Sequence, residues 1–300
     1  MKTDHVTKPR RRLFQRLESD LPPLEITERD LSILELVQDY RFLNSRQIQA
    51  LVGGSKHNVT ERLSRLFHHA YLDRPSHQRE LRSEGYRLMI YALAPKGAKL
   101  LARRSGSLAV VSRHLRENNR SAKRFHLAHT LMVSQFRACL TLACQRRSGL
   151  ALVRWQIPET PLSRMIVGRY RVAVIPDAYF ALERADGQRA HFFLEADRGT
   201  MTQARFLRKL QAYWRLRGSN SVGMPEAFRV LTITQSRQRT ENLRMAAKKA
   251  DPKGKGSRMF CFATEDVYDL QHPEAILERI WRTPVESEPH SLLGGGKGSS

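Results

Sequence analysis

Two short apolar runs in the second half of the chain each end in carboxylates. The first run ends in Pro176-Asp177, and the second ends in Glu195, with Asp197 two residues further on. Successive side chains of a β-strand point to opposite faces, so Glu195 and Asp197 are predicted to point the same way. Together with Asp177 they would form an all-oxygen ligand set of the kind that holds Mg²⁺ or Mn²⁺ on a phosphodiester. We therefore predict Asp177, Glu195 and Asp197 as metal ligands.

A basic helix follows the second run and offers a cation to the same site. Lys209 and Tyr213 are four residues apart and so share a helix face. We predict that Lys209 offsets charge in the transition state of phosphodiester cleavage, and that Tyr213 orients Lys209 or contacts the phosphate. The predicted catalytic residues are Asp177, Glu195, Lys209 and Tyr213. Salt bridges between the carboxylates and neighbouring arginines are the alternative, but charges at the ends of buried strands favour a site.

The order of these residues resembles a nuclease motif. Pro176-Asp177, a spacer and Glu195 are similar to the PD-(D/E)XK motif of restriction-endonuclease-like nucleases, with Asp177 and Glu195 on its two acidic positions. The motif has a lysine two residues after the second acid, where this chain has Asp197, and Lys209 is the candidate replacement. The whole chain resembles the replication-relaxation family of plasmids and mobile elements, which joins an N-terminal winged helix to such a nuclease-like domain.

The net charge of the chain indicates a polyanionic partner. Its 300 residues carry 52 Lys and Arg against 29 Asp and Glu, a formal net charge of +23. Such an excess attracts nucleic acid with an affinity that falls as salt rises, so we predict double-stranded DNA as the partner. A membrane is not predicted, because the sequence shows neither a run of eighteen apolar residues nor a signal peptide. We expect a cytoplasmic bacterial protein associated with the nucleoid or a plasmid.

The first half of the chain has the element order of a winged helix. T-E-R-D at Thr27 predicts a capping box that opens a first helix, and further helices are predicted from Ser45 and from Ser55. Two strands, at 71–73 and 86–93, are predicted to form a β-hairpin with a long, polar and basic tip. Three helices and a hairpin in this order predict a DNA-binding domain.

The third helix of this domain is predicted to enter a major groove. Asn and Arg side chains bond base edges, whereas Lys and the arginines of the hairpin hold phosphates. A second basic stretch, 237–258, is predicted to lie beside the DNA path. A merely solvated surface is the alternative for both. The predicted DNA-binding residues are Lys56, His57, Asn58, Arg62, Arg65, Arg79, Arg82, Arg87, Arg239, Arg244, Lys248 and Lys249.

The second half of the chain predicts a sheet flanked by helices. Its predicted strands lie at 150–157, 171–176, 178–182, 191–195, 228–234 and 258–263, and its later helices at 202–216, 237–249 and 273–281. Asp186-Gly187 is a hairpin turn signal. Hairpin strands followed by alternating helix and strand give the fold class α/β (α+β overall), a winged helix followed by a restriction-endonuclease-like mixed-sheet domain.

The predicted organisation has five segments. They are a basic N-terminal arm at 1–25, the winged-helix domain at 26–103, a basic linker at 104–124, the nuclease-like domain at 125–285 and a flexible tail at 286–300. The three cysteines have no metal-binding spacing, and neither a phosphate loop of the GxxxxGK[ST] kind nor an HExxH helix is present. The cysteine spacing therefore argues against a zinc ribbon. The missing motifs argue against NTP hydrolysis and zinc proteolysis as activities.

Three functions stay open at this point. The family resemblance implies a DNA-binding protein that acts in replication or mobilisation of a plasmid or mobile element. The retained acids favour an active, Mg²⁺-dependent endonuclease or nickase. The third function is a winged-helix transcriptional regulator whose second domain dimerises. A relaxase or other mobilisation protein as a partner, and a homodimer, stay open as well.

Overall fold

The computed structural model describes residues 13–17, 21–83, 85–106, 119, 122–217 and 225–293. The basic cluster of the predicted arm, most of the predicted linker and the last seven residues of the predicted tail lie outside these ranges. The chain divides into two compact units, residues 1–131 and 132–300. Within the described residues, no helix combines the length and the apolar composition that a membrane span requires.

The first unit consists of short helices around a small sheet. Strand β3 lies between β1 and β2 and is antiparallel to both. The predicted capping box is confirmed, since Asp30 accepts the N–H of Thr27 at 2.8 Å and Thr27 accepts the N–H of Asp30 at 3.3 Å. The elements are α1 (Glu28–Tyr40), β1 (Leu43–Asn44), α2 (Ser45–Val52), α3 (Lys56–His68), β2 (Leu72–Asp73), α4 (Gln78–Ser83), β3 (Ile90–Leu93) and α5 (Pro95–Ser105).

The connection between β2 and β3 differs from the predicted polar loop. The two strands pair as predicted, with Leu72 opposite Leu93, but the connection contains α4. The buried side chain of Gln78 donates to the carbonyl of Ile90 at 3.0 Å and accepts its N–H at 2.9 Å, while Leu81 reaches the apolar core. These tertiary contacts explain why a segment that is polar in sequence is helical.

A buried carboxylate joins α1 to α3. The side chain of Asp30 has no exposed surface, and Arg62 of α3 forms an ion pair with it. Burial alone raises the pKa of Asp30, but hydrogen bonds from Arg62 and Thr27 outweigh burial and hold this pKa below its usual value. Arg62 therefore stabilises the packing of the first unit.

We expect Arg62→Ala to lower the free energy of unfolding by about 2 to 3 kcal/mol, because it leaves Asp30 as a buried, unpaired carboxylate. Urea unfolding followed by far-UV circular dichroism at pH 7 measures this change. Arg104→Ala is the matched control, since Arg104 pairs with Glu28 on the surface and such pairs contribute about 1 kcal/mol or less. Equal losses of unfolding free energy in Arg62→Ala and Arg104→Ala would contradict the stabilising role assigned to Arg62.

The second unit has a five-stranded mixed sheet in the order β10-β9-β8-β7-β4. Strands β8, β9 and β10 are mutually parallel, whereas β7 is antiparallel to both β8 and β4. The elements are α6 (Arg124–Arg146, which begins in the first unit), β4 (Leu150–Gln156), β5 (Ser163–Val167), β6 (Tyr170–Val174), β7 (Ala178–Arg184), β8 (Arg189–Asp197), α7 (Gln203–Arg217), β9 (Arg229–Thr234), α8 (Arg237–Ala247) and β10 (Phe260–Thr264).

Helices cover both faces of this sheet. Phe136 of α6 packs against one face, in a cluster with Phe180 and Phe192. On the other face, Leu210 of α7 and Leu243 of α8 pack in a separate cluster. The predicted fold class, α/β with a mixed sheet flanked by helices, is confirmed.

Two element predictions in this unit need correction. The strand predicted at 171–176 is present as β6 but ends at Val174, and it pairs in a separate two-stranded hairpin with β5, which the sequence analysis did not predict. The helix predicted at 273–281 is only a 3-10 helix, Pro273–Leu277. The chain turns back there because the indole of Trp281 donates to the carbonyl of Ile276 at 2.9 Å and its backbone bridges to His290.

Candidate active site

Asp177 and Glu195 lie together at one end of the β7–β8 pair. Asp177 directly precedes β7, and its N–H donates to the carbonyl of Leu194 at 2.9 Å. Its carboxylate accepts the N–H of Ala196 at 2.7 Å, which fixes the side chain against β8. The charges of the two acids interact, since Asp177 contributes to raising the pKa of Glu195. The structure thus brings together the two acids that the sequence predicted.

Glu195 is buried between two side chains of α7. The hydroxyl of Tyr213 donates to Glu195 Oε1 at 2.6 Å. The ammonium of Lys209 binds Glu195 Oε2 and also donates to the carbonyl of Ile175 at 2.8 Å. The predicted shared helix face of Lys209 and Tyr213 therefore meets the second acid of the motif.

The protonation of Glu195 depends on this environment. Burial raises its pKa to about 7, and the charge and hydrogen bonds of Lys209 and Tyr213 only partly oppose that effect. Burial and the neighbouring Glu195 also raise the pKa of Tyr213 well above its ordinary value, so Tyr213 acts as a neutral donor. Glu195 consequently changes charge near neutral pH.

Glu195 is expected to make the stability of the second unit depend on pH. Its pKa is about 7 in the folded state against an ordinary value of 4.5, so its contribution is complete below pH 4.5 and is lost as pH rises through 7. Relative to Glu195→Gln, the wild-type chain should lose about 2 to 3 kcal/mol of unfolding free energy between pH 5 and 8. Urea unfolding monitored by tryptophan fluorescence measures this difference.

The control for the pH experiment is the same substitution at Glu183. This carboxylate also lies on the sheet, in β7, but it is partly exposed and pairs with Arg189 at 2.6 Å. Parallel pH profiles for Glu183→Gln and Glu195→Gln would contradict the role assigned to the burial of Glu195.

Asp197 has a different partner from Glu195. Arg239 of α8 donates to Asp197 Oδ2 from Nη2 at 2.7 Å and from Nε at 3.2 Å, and the N–H of Gly199 donates to the other oxygen. Within the described parts of the chain, no three His, Cys, Asp or Glu side chains are placed to hold a metal ion together. The predicted three-carboxylate cage is therefore absent there, because Asp197 is committed to an ion pair. Asp177 and Glu195 remain as the candidate metal ligands.

A short segment ahead of α1 covers part of the predicted DNA-reading face of α3. Arg65 donates to the carbonyl of Pro23 at 3.1 Å, and Arg62 donates to the carbonyl of Glu25. His69 contacts the carbonyl of Pro22 at 3.1 Å. This part of the predicted arm is thus packed on the first unit, and Arg62 and Arg65 face protein instead of open solvent.

The beginning of α3 is open. Three predicted DNA-binding residues are exposed there, namely Lys56, His57 and Asn58. Ser55 caps the helix by accepting the N–H of Asn58 at 3.2 Å, so the first turn is well defined. The N-terminal half of α3 is therefore the part of this helix that is open to solvent.

The other predicted DNA contacts fall into bonded and exposed groups. Arg239 and Arg244 pair with carboxylates, and Arg82 donates to the carbonyl of Arg87 at 2.9 Å. Arg79 lies 4.6 Å from the centre of the Phe14 ring. Three further cations are partly or fully exposed: Arg87, Lys248 and Lys249.

Sequence reasoning missed a cationic groove beside Lys209. This groove has a volume of about 450 Å³ and contains no acidic side chain. The spacing of Arg205, Arg208 and Lys209, which puts all three on one face of α7, is the signal that could have revealed it. The lining residues are Tyr170, Arg171, Val172, Ala173, Ile175, Met201, Arg205, Arg208 and Lys209.

Comparison with known proteins supplies the family. The sequence model of a family described as Replication-relaxation matches residues 34–230, more than half of the chain. The matched range includes α3 and all four predicted catalytic residues. No curated protein and no solved structure matches the chain. The chain therefore belongs to the replication-relaxation family and acts in the replication or relaxation of a plasmid or mobile element.

Proposed function

We propose that this protein binds double-stranded DNA through a winged helix in its first unit and carries a restriction-endonuclease-like domain as its second unit. The observation that carries the proposal is the meeting of Asp177, Glu195 and Lys209 at one end of a mixed sheet, beside a cationic groove. The net charge of +23 supports a nucleic-acid partner for the whole chain.

The arrangement of the first unit supports the winged helix. Helices α1, α2 and α3 are followed by the antiparallel pair β2 and β3, and α3 presents exposed polar and basic residues at its beginning. In helix-turn-helix proteins, the N-terminal residues of the recognition helix contact base edges. Asn58 is therefore the proposed base-reading residue and Lys56 a phosphate contact.

Fluorescence anisotropy tests this assignment with two duplexes, one selected from a random library by the protein and one of unrelated sequence. We expect Asn58→Ala to weaken binding of the selected duplex about 5- to 100-fold and to leave the unrelated duplex nearly unchanged. Lys56→Ala should weaken binding of both duplexes equally. It should also make the plot of log affinity against log salt concentration shallower, by about 1 in slope. Gln188→Ala, at an exposed position of the turn between β7 and β8, is the matched control. An equal loss for Asn58→Ala on both duplexes would refute base reading by α3.

A second candidate function is Mg²⁺-dependent cleavage of DNA. The contact between Lys209 and Glu195 favours it, because Lys209 supplies from α7 the ammonium that the motif takes from the strand. The donor set fits the metal, since Mg²⁺ keeps several waters and is held by one or two carboxylates together with phosphate oxygens. Asp177 and Glu195 would hold Mg²⁺ or Mn²⁺, which would polarise the scissile phosphate and activate a water molecule.

The residues of the chain have distinct roles in this candidate function. The N–H of Ala196 holds the carboxylate of Asp177 against β8, next to Glu195 in the sequence of that strand. Tyr213 orients Glu195 through its hydroxyl, and Lys209 places a positive charge where negative charge develops on the phosphate. Glu195 binds a cation only when it is ionised, so protons compete with the metal for this carboxylate and the reaction should slow as pH falls.

Incubation of supercoiled plasmid with and without Mg²⁺ or Mn²⁺ separates the two candidates. Metal-dependent conversion to the nicked form supports an active endonuclease. An unchanged plasmid with intact duplex binding supports a non-catalytic, DNA-binding accessory role. If the plasmid is unchanged, adding the relaxase of a mobilisable plasmid tests whether a partner completes the active site.

A further inference from the structure

We infer that the groove beside Lys209 binds single-stranded DNA, with arginines holding its phosphates and Tyr170 stacking against a base. This inference rests on the proposed function, in which the second unit acts on DNA, and it names the form of DNA at that site. The groove lies between α7 and β6, the second strand of the β5–β6 hairpin.

The groove concentrates cations on one strip of surface. Arg205, Arg208 and Lys209 project from one face of α7, and Arg171 projects from β6. Arginine presents planar donors that match phosphate oxygens in pairs. The phosphodiester backbone is the polyanion that this arrangement fits.

No carboxylate among the described residues neutralises the arginines of this groove. Within the described residues, neither Arg171, Arg205 nor Arg208 forms an ion pair, whereas Arg239 and Arg244 of neighbouring α8 both do. Like charges that are held close together repel each other, and an entering anion relieves this repulsion. The electrostatics of the groove therefore favour an anionic ligand.

Tyr170 adds an aromatic surface to the cations. The residue is 42% exposed, and the guanidinium of Arg208 lies 4.0 Å from the ring centre. Aromatic rings beside a positive groove are the common chemistry of single-strand binding, because unpaired bases stack on them. Bases within a duplex are already stacked on each other, and a groove of about 450 Å³ has the scale of a small-ligand pocket. Both facts favour a single strand over a duplex.

The groove shares Lys209 with the candidate active site. Lys209 and Ile175 line it, and the ammonium of Lys209 binds both the carbonyl of Ile175 and the carboxylate of Glu195. A strand held by Arg171 and Arg205 therefore passes next to the acid pair. This geometry suits a protein that acts on one strand of an opened duplex.

Fluorescence anisotropy in EDTA with a labelled 12-nucleotide single strand tests the inference on the full chain. We expect the double variant Arg171→Glu, Arg205→Glu to weaken binding by at least tenfold and to reduce the salt slope. Arg147→Glu is the matched control, because Arg147 is exposed at the end of α6, which covers the other face of the sheet. We expect that control to stay within twofold of the wild type.

Tyr170 is tested separately because it contributes stacking. Tyr170→Ala should weaken single-strand binding about tenfold, whereas Tyr170→Phe, which keeps the ring, should stay within twofold. Far-UV circular dichroism confirms that each variant is folded. A loss of binding in Tyr170→Phe equal to that in Tyr170→Ala would overturn the stacking role.

Two further outcomes would overturn the inference as a whole. The first is equal binding of the single strand by the double variant and by Arg147→Glu. The second is a loss of duplex binding in the double variant with unchanged single-strand binding. Since EDTA prevents metal-dependent cleavage, these outcomes do not depend on nuclease activity. Absence of plasmid nicking with intact single-strand binding would instead contradict only the nuclease candidate.

Discussion

Asp177→Asn and Glu195→Gln are each expected to lower metal-dependent plasmid nicking about 1,000-fold or more while leaving duplex binding unchanged. Each substitution removes one of two candidate metal ligands and retains nearly the same side-chain volume. Loss of the several kcal/mol that a metal contributes to transition-state stabilisation corresponds to at least three orders of magnitude in rate. The conversion of supercoiled to nicked plasmid, quantified on gels over time, measures the effect.

Two carboxylate variants serve as controls for this loss. Asp186→Asn changes an exposed acid in the turn between β7 and β8, at the opposite end of that hairpin, and should retain full nicking. Asp197→Asn should retain most of it, because Asp197 is bound to Arg239. A loss in Asp197→Asn as large as in Asp177→Asn would restore Asp197 as a metal ligand and contradict the assignment.

The nicking rate of the wild-type protein should also depend on pH in a defined direction. Glu195 must be ionised to bind a metal, and its pKa is about 7. At a Mg²⁺ concentration below saturation, where protons compete with the metal for Glu195, the rate is therefore expected to rise from pH 6 to pH 8 and then to level off. A rate that is flat over this interval under the same conditions would contradict the role of Glu195 as a metal ligand.

The candidate site was predictable where local periodicity determines it. Alternation along a strand put Glu195 and Asp197 on one face, and the four-residue spacing on α7 put Lys209 beside Tyr213. The structure confirms both shared faces, because Lys209 and Tyr213 both reach Glu195, and Asp197 is bound by Arg239 of α8, which packs with α7 on the same side of the sheet. Periodicity predicts the face on which a side chain lies, but it does not predict which residue that side chain contacts.

The partners that the sequence analysis missed are distant in sequence. Asp197 binds Arg239, 42 residues away, and that pairing depends on how α8 packs on the sheet. In the first unit, Arg65 binds Pro23, also 42 residues away. The sequence pattern identified the arginines as cations but gave no information on which of them folding would neutralise.

The same reasoning explains the missed elements. Helix α4 has a polar sequence, and it is held by the bonds between Gln78 and the backbone of Ile90, twelve residues away. The β5–β6 hairpin has the two-residue connection Gly168-Arg169 as its turn signal, which the sequence analysis did not use, and among the described residues its strands pair with each other and with no strand of the main sheet. Both elements depend on tertiary contacts, which outweigh local propensity. Helix α4 lies in the connection between β2 and β3, which is the proposed wing, and β6 lines the groove that we propose to bind a single strand.

Lys209→Met is expected to reduce metal-dependent nicking by about 100- to 1,000-fold, because it removes the positive charge that binds Glu195, one of the two candidate metal ligands. A purely structural lysine would change stability without changing the pH profile of cleavage. Lys209 lowers the pKa of Glu195, so its removal should raise that pKa and move the rise in nicking rate to higher pH. Rate measurements from pH 6 to pH 9 on the folded variant detect this shift.

Two conservative variants complete the test of Lys209. Lys209→Arg keeps the positive charge and should recover part of the activity with a pH profile close to that of the wild type. Tyr213→Phe removes the other hydrogen bond to Glu195 and should raise its pKa in the same direction as Lys209→Met, while leaving the ammonium in place. If Lys209→Met slows nicking with no displacement of the pH profile, Lys209 does not act through Glu195, and the displaced-lysine assignment fails.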